Sequence, residues 1–498
     1  MTIPVVDLFA GPGGLAEGFS SLKLKGRNPF RVVLSIEKDA RAHETLLLRG
    51  FLRQFGGDIP EEYWCHLRGE ISRTELYDRF PREHSRASRE CVRHELGPDS
   101  DLVTRDMVAT ALRGHSGHWG LIGGPPCQAY SLAGRSRNRG VMGYVPEEDH
   151  RQTLYVEYLQ IVADHQPTFF IMENVKGLIS ATLQHDRLFE RILTDLQDPG
   201  AALKREDRRA PKRGPKYRIV PIARPSSGLF GPVAKDVLVR CEEHGIPQAR
   251  HRVILLGIRD DVATSEYHLG NAEPPSVRLT LEGLPKIRSG LTDLEDSDAN
   301  WRAFVAGIAK RPWVRKIDSE MQAAIRDTAE GIREFRAGRG GEFVRHRTAA
   351  TSHLGGVANH HSRAHISADL ERYLFASCFA RVNRRSPTLS EFPVTLLPDH
   401  ANVGKAVRGG HFEDRFRVQV WDRPSTTITS HISKDGHAFI HPDPWQCRSL
   451  TVREAARLQT FPDDYLFCGP RTSQFQQVGN AVPPALARQV ASVVAKML

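Results

Sequence analysis

Three short segments hold residues whose types and spacing could do chemistry. In Gly123-Gly124-Pro125-Pro126-Cys127-Gln128-Ala129-Tyr130-Ser131 a thiol directly follows two prolines. The apolar run Trp119-Gly120-Leu121-Ile122 before it reads as a short buried strand opening into a rigid turn. Two fixed φ angles leave such a turn little entropy to lose, which suits the presentation of a nucleophile. A free cysteine is more often a small buried hydrophobe, so Cys127 gains a chemical reading only from its company. That company begins with Glu173, which follows the apolar run Pro167-Thr168-Phe169-Phe170-Ile171-Met172 and is expected at the end of a buried strand. Desolvation there raises a carboxyl pKa and lets it hold a proton near neutrality. The third segment, Gln248-Ala249-Arg250-His251-Arg252, leads into the apolar strand Val253-Ile254-Leu255-Leu256-Gly257. On an extended chain Arg250 and Arg252 face one side, where two guanidiniums suit a carbonyl oxygen, a phosphate or a carboxylate.

These groups need a scaffold, and the N-terminus describes one. Ile3-Pro4-Val5-Val6-Asp7-Leu8-Phe9 is a β-branched run that breaks into Ala10-Gly11-Pro12-Gly13-Gly14, and the helix-like Leu15-Ala16-Glu17-Gly18-Phe19 follows. Strand, glycine turn and helix in that order let a ligand approach backbone N–H groups at a helix N-terminus. About 20 residues on, Leu34-Ser35-Ile36-Glu37 ends a second strand with an acid, the expected partner of ribose hydroxyls. The turn is not GxGxxG and no Walker lysine follows, so an adenosine ligand without a long phosphate tail fits better than a dinucleotide or a triphosphate.

Taken together, DLFAGPGG (7–14), GGPPCQAYS (123–131), MENV (172–175), QARHR (248–252), RSLTVREAARLQTFPD (448–463) and QVGNAVPP (477–484) resemble the successive motifs of the DNA (cytosine-5) methyltransferases, of the bacterial restriction-modification type. They span nearly the whole chain and leave 266–444 as the variable part, which in that family is the target-recognition region.

The resemblance implies transfer of a methyl group from S-adenosyl-L-methionine to C5 of a cytosine in a specific duplex DNA sequence, leaving S-adenosyl-L-homocysteine. C5 is not nucleophilic by itself, and covalent catalysis solves the problem: a thiolate adds at C6 and makes C5 enamine-like. Cys127 would be that thiolate, Glu173 the acid near N3, and Arg250 and Arg252 the rest of the base pocket, with Arg252 the better candidate for base contact. A duplex hides C5 and C6, so the cytosine must be flipped out. On the cofactor side the resemblance assigns Phe9 to the adenine, Ala10, Gly11, Gly13 and Gly14 to the methionine moiety, Glu37 to the ribose, and Asn480 and Val482 to closure over the methionine end. Pro126 and Leu154 add contacts. Lys38 departs from the pattern, which often has a bulky apolar residue after the acid. The acid that meets the adenine amino group is either Asp106 or Asp58, with Asp106 preferred. Candidate DNA contacts are Gln128, Ser131 and, before the rigid Ser386-Pro387, Arg381, Asn383, Arg384 and Arg385.

Composition agrees with a polyanionic partner, since 69 Lys and Arg against 59 Asp and Glu give a net charge of +10. Basic groups stand at Lys204-Arg205, Arg208-Arg209 and Lys212-Arg213, in a segment that reads as a mobile loop, and at Arg333, Arg336, Arg339, Arg345 and Arg347 among glycines suited to following a phosphate backbone. Seven cysteines without a CxxC pair imply a reducing compartment and no zinc ribbon. His353, His360, His361 and His365 read as DNA-facing or solvated rather than as a metal site, and no metal is expected. No run of about 18 apolar residues and no basic signal region occur, so a cytoplasmic, nucleoid-associated protein without a membrane partner is expected.

The fold expected is α/β: a Rossmann-like S-adenosylmethionine-dependent methyltransferase domain with a mainly parallel sheet and helices on both faces, plus a smaller irregular target-recognition domain. Residues 1–265 form the first part of the catalytic domain, with a charged helical elaboration over 52–118. Residues 266–444 form the recognition domain, and 445–498 return to complete the catalytic domain. Thr451 and Glu454 make a capping box for a helix over Leu450 to Leu458, and Leu486 to Met497 forms a terminal helix. A monomer is expected, with a cognate restriction endonuclease encoded nearby but not physically bound. Two other readings stay open. A tRNA cytosine methyltransferase of the same family carries Cys-Phe-Thr, where this chain has Cys378-Phe379-Ala380; a silent DNA-binding regulator would show decay at Cys127, Glu173 or Arg252, and all three are intact.

Overall fold

A computed structural model describes residues 2–126, 154–183, 186–212, 214–226, 232–346, 355–399, 403–406 and 413–498. Cys127, Gln128, Ser131, Arg213, Arg347 and His353 lie outside the described residues.

The first strand, β1 (Ile3–Leu8), is buried along both faces, with Val5, Val6 and Leu8 at 0 % exposure. That is why its sequence, Asp7 apart, is an apolar run rather than an alternating one. It is central to a sheet with β2 (Phe30–Glu37), β3 (Cys91–Arg93), β4 (Gly120–Gly123), β5 (Phe169–Val175), β6 (Tyr217–Val220), β7 (Leu238–Arg240) and β8 (His251–Arg259). The order across the sheet is β3-β2-β1-β4-β5-β8-β6, with β7 also beside β8. The first five are mutually parallel, and β8 runs antiparallel to β5, β6 and β7. From β1 the chain builds outward through β2 to β3, then crosses back to place β4 on the other side of β1. In an open α/β sheet the crevice at such a reversal, beyond the carboxyl ends of the strands, is where ligands sit. The turn after β1, the Gly124-Pro125-Pro126 turn after β4, Glu37 at the end of β2 and Glu173 near the end of β5 all converge on it.

Helix Pro484–Met497 packs along helix Gly14–Ser21, and Leu15 and Phe19 share one apolar cluster with Leu486, Val490 and Val494. The capping box is present: Glu454 N–H donates to Thr451 Oγ1 at 3.2 Å, and Thr451 N–H donates to Glu454 Oε2 at 2.7 Å, at the start of helix Val452–Leu458.

Within 52–118 lie four α-helices, Glu61–Leu67, Arg73–Arg79, Pro81–Glu90 and Asp101–Ala111, and a 3-10 turn at Pro98–Ser100. Between them β3 adds a strand to the main sheet, paired with β2 through Ser35, Ile36 and Glu37. Three residues are too few to show a period, so this strand had no sequence signal. Region 266–444 has its own core of Trp301, Ile325, Leu374 and Phe375, among others, built by helices Asp298–Gly307, Ser319–Glu334 and Ser367–Asn383. It holds more helix than its mixed composition suggested. Ser297 and Asp318 cap two of these helices by accepting from Asn300 N–H (3.1 Å) and Met321 N–H (2.8 Å).

Two sequence expectations need correction. The basic segment around 204–212 is tied down rather than loose: Arg205 reaches Asp195 at 2.5 Å, Arg208 grips Glu157 at 2.9 and 3.0 Å, and Arg209 reaches Asp164 at 2.6 Å. Helix Leu154–His165 carries two of those carboxylates, so Arg208 and Arg209 serve internal pairing. Two of the histidines, His360 and His365, are not solvated either. His360 is fully buried between Pro285 O (2.8 Å) and Thr451 Oγ1 (3.0 Å), and burial pushes its pKa down to about 4. His365 is also buried, and burial pushes it down to about 3. No metal-ligand cluster occurs among the described residues.

Candidate active site

A cleft of about 530 Å³ opens at the β1/β4 reversal. Its floor is the glycine turn. Phe9 leaves β1 at φ 56°, a left-handed conformation that is costly for an aromatic residue and is held here at the cleft wall. Gly11 follows at φ 57°, and a Cβ there would meet no atom within 4 Å, so it points into the open cleft. A Cβ on Gly14 would instead lie 2.3 Å from the Val482 carbonyl oxygen. Only a glycine lets the segment 480–482 close down on the turn.

Glu37 holds this turn in place. Its Oε2 accepts Gly11 N–H at 2.8 Å and its Oε1 accepts Asp39 N–H at 2.7 Å. Burial pushes its carboxyl up from the usual range, against the pull of those N–H groups. The cleft is therefore lined by a carboxylate, an aromatic ring and open backbone, a donor and acceptor set that fits a ribose, a purine and a short charged tail.

On the opposite wall Glu173 and Arg252 form an ion pair, with Arg252 Nε 2.7 Å from Glu173 Oε1 and both side chains only 12–13 % exposed. Sheet register explains the pairing: Ile254 lies opposite Glu173 and Arg252 opposite Val175 on antiparallel neighbours. Asn174 donates from Nδ2 to Pro125 O at 3.2 Å, so the residue after Glu173 anchors the proline turn that leads into Cys127.

Of the residues read from sequence, the cleft brings together Phe9, Ala10, Gly11, Gly14, Glu37, Pro126, Leu154, Glu173, Arg252, Asn480 and Val482. Others lie elsewhere. Gly13 sits at φ 97° as the cap of the first helix, turned toward Leu46 and the Tyr465 hydroxyl rather than the cleft. Asp106 is exposed on helix Asp101–Ala111, and neither it nor Asp58 lines the cleft. His94 and Leu96, just beyond β3, form that edge. They were missed because β3 itself was missed. Thr429, Ser430 and His431, with Gln476 and Gln477, complete the rim.

Arg250 does not share a face with Arg252. Its side chain is 0 % exposed and donates to the carbonyls of Ile428 (2.7 Å), Gly479 (3.2 Å) and Ala481 (2.9 Å). The regular strand begins only at His251, while Gln248–Ala249 pairs with Ser425–Thr426, so the alternation expected across 250–252 is broken. The base-reading candidates are likewise engaged. Arg381 pairs with Asp327 at 2.7 Å, Arg384 with Asp422 at 3.2 Å, Arg385 with Glu391, and Asn383 donates to Phe379 O at 3.2 Å. They cluster at the end of helix Ser367–Asn383, where Arg381 and Arg384 reach carboxylates on other segments.

A mostly parallel sheet whose strand order reverses beside a glycine turn, with a carboxylate closing the second strand, defines a Rossmann-like fold. A sequence profile of the C-5 cytosine-specific DNA methylase family matches residues 103–204 and 233–496. Type II methyltransferase M.Bpa9945I of Bacillus paralicheniformis is 31 % identical over 507 residues, covering 98 % of each chain. Type II methyltransferase M.AgeI of Thalassovita gelatinovora is 27 % identical over 522 residues, again covering 98 % of each. A crystal structure described as a prophage-encoded DNA modification methyltransferase of E. coli matches in fold, with TM-score 0.53 and 18 % identity over 99 % of this chain and 98 % of that one. The chain belongs to the C-5 cytosine-specific DNA methylase family and is a DNA cytosine methyltransferase. No helix among the described residues is long and apolar enough to cross a membrane.

Proposed function

We propose that this enzyme methylates C5 of a flipped-out cytosine within a specific duplex DNA sequence through a covalent adduct between Cys127 and C6. The observation that carries the reading is the Glu173–Arg252 pair at 2.7 Å, set across one cleft from the Phe9–Gly14 turn and tied through Asn174 to the proline turn preceding Cys127. S-adenosylmethionine supplies the electrophilic methyl group. Phe9, Glu37, Asn480 and Val482 would hold it, and the open backbone at Gly11 leaves room for it.

The chain's own residues do the rest. The Cys127 thiolate adds to C6, and electron density moves through the ring to C5 and N3. Glu173 holds a proton at N3, and Arg252 fixes the Glu173 carboxyl and faces the base. Once C5 has taken the methyl group and S-adenosylhomocysteine is left behind, the C5 proton passes to solvent, the C5–C6 double bond re-forms and the Cys127 thiolate is expelled. Residues 1–265 and 445–498 act as the catalytic domain and 266–444 as the recognition domain, in an enzyme of the restriction-modification type that works as a monomer. Bisulfite sequencing of DNA from cells expressing the protein tests this. Protected cytosines at one recurring sequence are expected, and unmodified DNA would overturn the reading.

A further inference from the structure

Arg250 is a buried cation with no carboxylate in ion-pair contact among the described residues. Its acceptors are three main-chain carbonyls, and its Nε has no partner. Burial and the like charge of Arg252 both work against its charged form. An isolated buried charge is costly, and an apolar residue would fill the space without that cost. What an apolar residue could not do is hold these three carbonyls together.

Their positions are informative. Gly479 O and Ala481 O flank Asn480, which lines the cofactor cleft. Ile428 O precedes Thr429, Ser430 and His431, which line the same cleft. Thr429 and His431 also line a neighbouring cavity of about 710 Å³ whose charged lining is Arg415, Arg417 and Lys434 with Asp414 and Asp435. The two segments touch: a Cβ on Gly479 would lie 2.3 Å from Ser430 N. Thr427 Oγ1 adds a bond to Ala249 O at 2.6 Å. Two residues after Arg250, Arg252 holds Glu173.

We propose that Arg250 is a positioning residue that couples the two substrates, by clamping the Asn480 turn on the cofactor side to the 425–431 segment on the DNA side and fixing both relative to the Glu173–Arg252 pair. This rests on the reading of the cleft as the methyl-donor and DNA site. Ordering the Asn480 turn around cofactor then orders 425–431 for DNA, and by linkage the reverse holds to the same degree.

The test is a set of binding measurements on the full chain. S-adenosylhomocysteine affinity is measured with and without a duplex containing the methylated sequence, and duplex affinity with and without S-adenosylhomocysteine. The wild type should show mutual enhancement, on the order of 5-fold or more. Arg250→Lys keeps the charge but cannot span three carbonyls. It should bind each ligand alone within about 3-fold of wild type, lose most of the enhancement, and show a KM for each substrate, measured with the other saturating, raised by about the enhancement lost. Thr427→Val, a smaller change beside the clamp, should lose part of the enhancement and keeps the test open if the lysine variant does not fold. Full enhancement in both folded variants, or in Thr427→Val alone when Arg250→Lys does not fold, overturns the proposal. So does a wild type that methylates DNA yet shows no enhancement. A wild type that methylates no DNA fails the functional reading itself, which separates the two outcomes.

Discussion

Glu173 and Arg252 stand on antiparallel neighbours in the sheet, two rungs apart in register, yet their side chains meet at 2.7 Å on the wall of the cleft. An acid that must present a proton to one ring atom needs a fixed direction, and a guanidinium on the adjacent strand supplies it. Replacing Glu173 by glutamine keeps the shape and removes the carboxyl group from the site. The single-turnover methylation rate should fall by roughly 10²-fold or more, with DNA and cofactor affinity nearly unchanged. A rate equal to wild type would take Glu173 out of the chemistry.

Cys127→Ser should abolish turnover while leaving cofactor binding in place, since a hydroxyl at ordinary pKa is a poor nucleophile toward C6. The wild type should form a denaturation-resistant complex with DNA containing 5-fluorocytosine, because loss of a proton from C5 is blocked there. Gel mobility after denaturation reads this out. Absence of the adduct would refute covalent catalysis.

Gly14→Ala forces a Cβ against the Val482 carbonyl, which is 2.3 Å away. Backbone cannot yield as a flexible side chain does, so a loss on the order of 1–3 kcal/mol is expected. It should appear in thermal melts together with weaker S-adenosylhomocysteine binding by calorimetry. An unperturbed melt would mean that the turn and the 480–482 segment are not held in this contact.

Asp7, at 0 % exposure in β1, has its pKa raised to about 8, chiefly by burial, with Arg53 opposing. Its unfolded value is near 4, so the folded state holds the extra proton between those limits and stability drains away as pH rises through that window, by at most about 1.4 kcal/mol per pH unit. Below pH 4 the group contributes no slope, and above pH 8 the loss is complete. Asp7→Asn removes this dependence. The melting temperature of the variant relative to wild type should climb from pH 4 to pH 8 and level off beyond. A difference independent of pH would show that Asp7 titrates as an ordinary carboxylate.

Specificity should travel with 266–444. Replacing that block with the matching block of a relative should transfer the methylated sequence, read by bisulfite sequencing. An active chimera that keeps the original site would locate readout in the catalytic half. Arg384 and Arg385 are occupied by Asp422 and Glu391, so alanine there should leave sequence preference intact. Arg415 lines the cavity beside the cleft, 4.0 Å from Asp435, and is a second probe: Arg415→Ala should weaken binding to all duplexes and reduce the salt slope by about 1.

Much of this was legible in the residues because the site is built from strand ends. β1, β4, β5 and β8 are buried on both faces and announce themselves as apolar runs, and each ends in a turn or a charged residue where the run stops. The Thr451–Glu454 box was equally plain, since capping is local. Arg250 was misread for a physical reason: alternation predicts facing only while a strand continues, and here the pairing partner changes between Ala249 and His251. Asp106 was preferred by its distance along the chain to Cys127, which does not constrain position once helices intervene. Buried arginines and histidines such as Arg448, Arg453 and His360 look like surface residues in sequence, because nothing local records the carbonyls and carboxylates that satisfy them.

The contact between Gly14 and Val482 has a consequence for how the cleft is assembled. Part of the cleft is the turn at residues 9–14 and the part that meets it is 480–482, far away in sequence, and helix Pro484–Met497 is the surface that seats helix Gly14–Ser21. A closure between segments so widely separated carries a large loop-entropy cost before any contact rewards it. Removing helix Pro484–Met497 would therefore open the cleft without touching a residue of the Glu173–Arg252 pair.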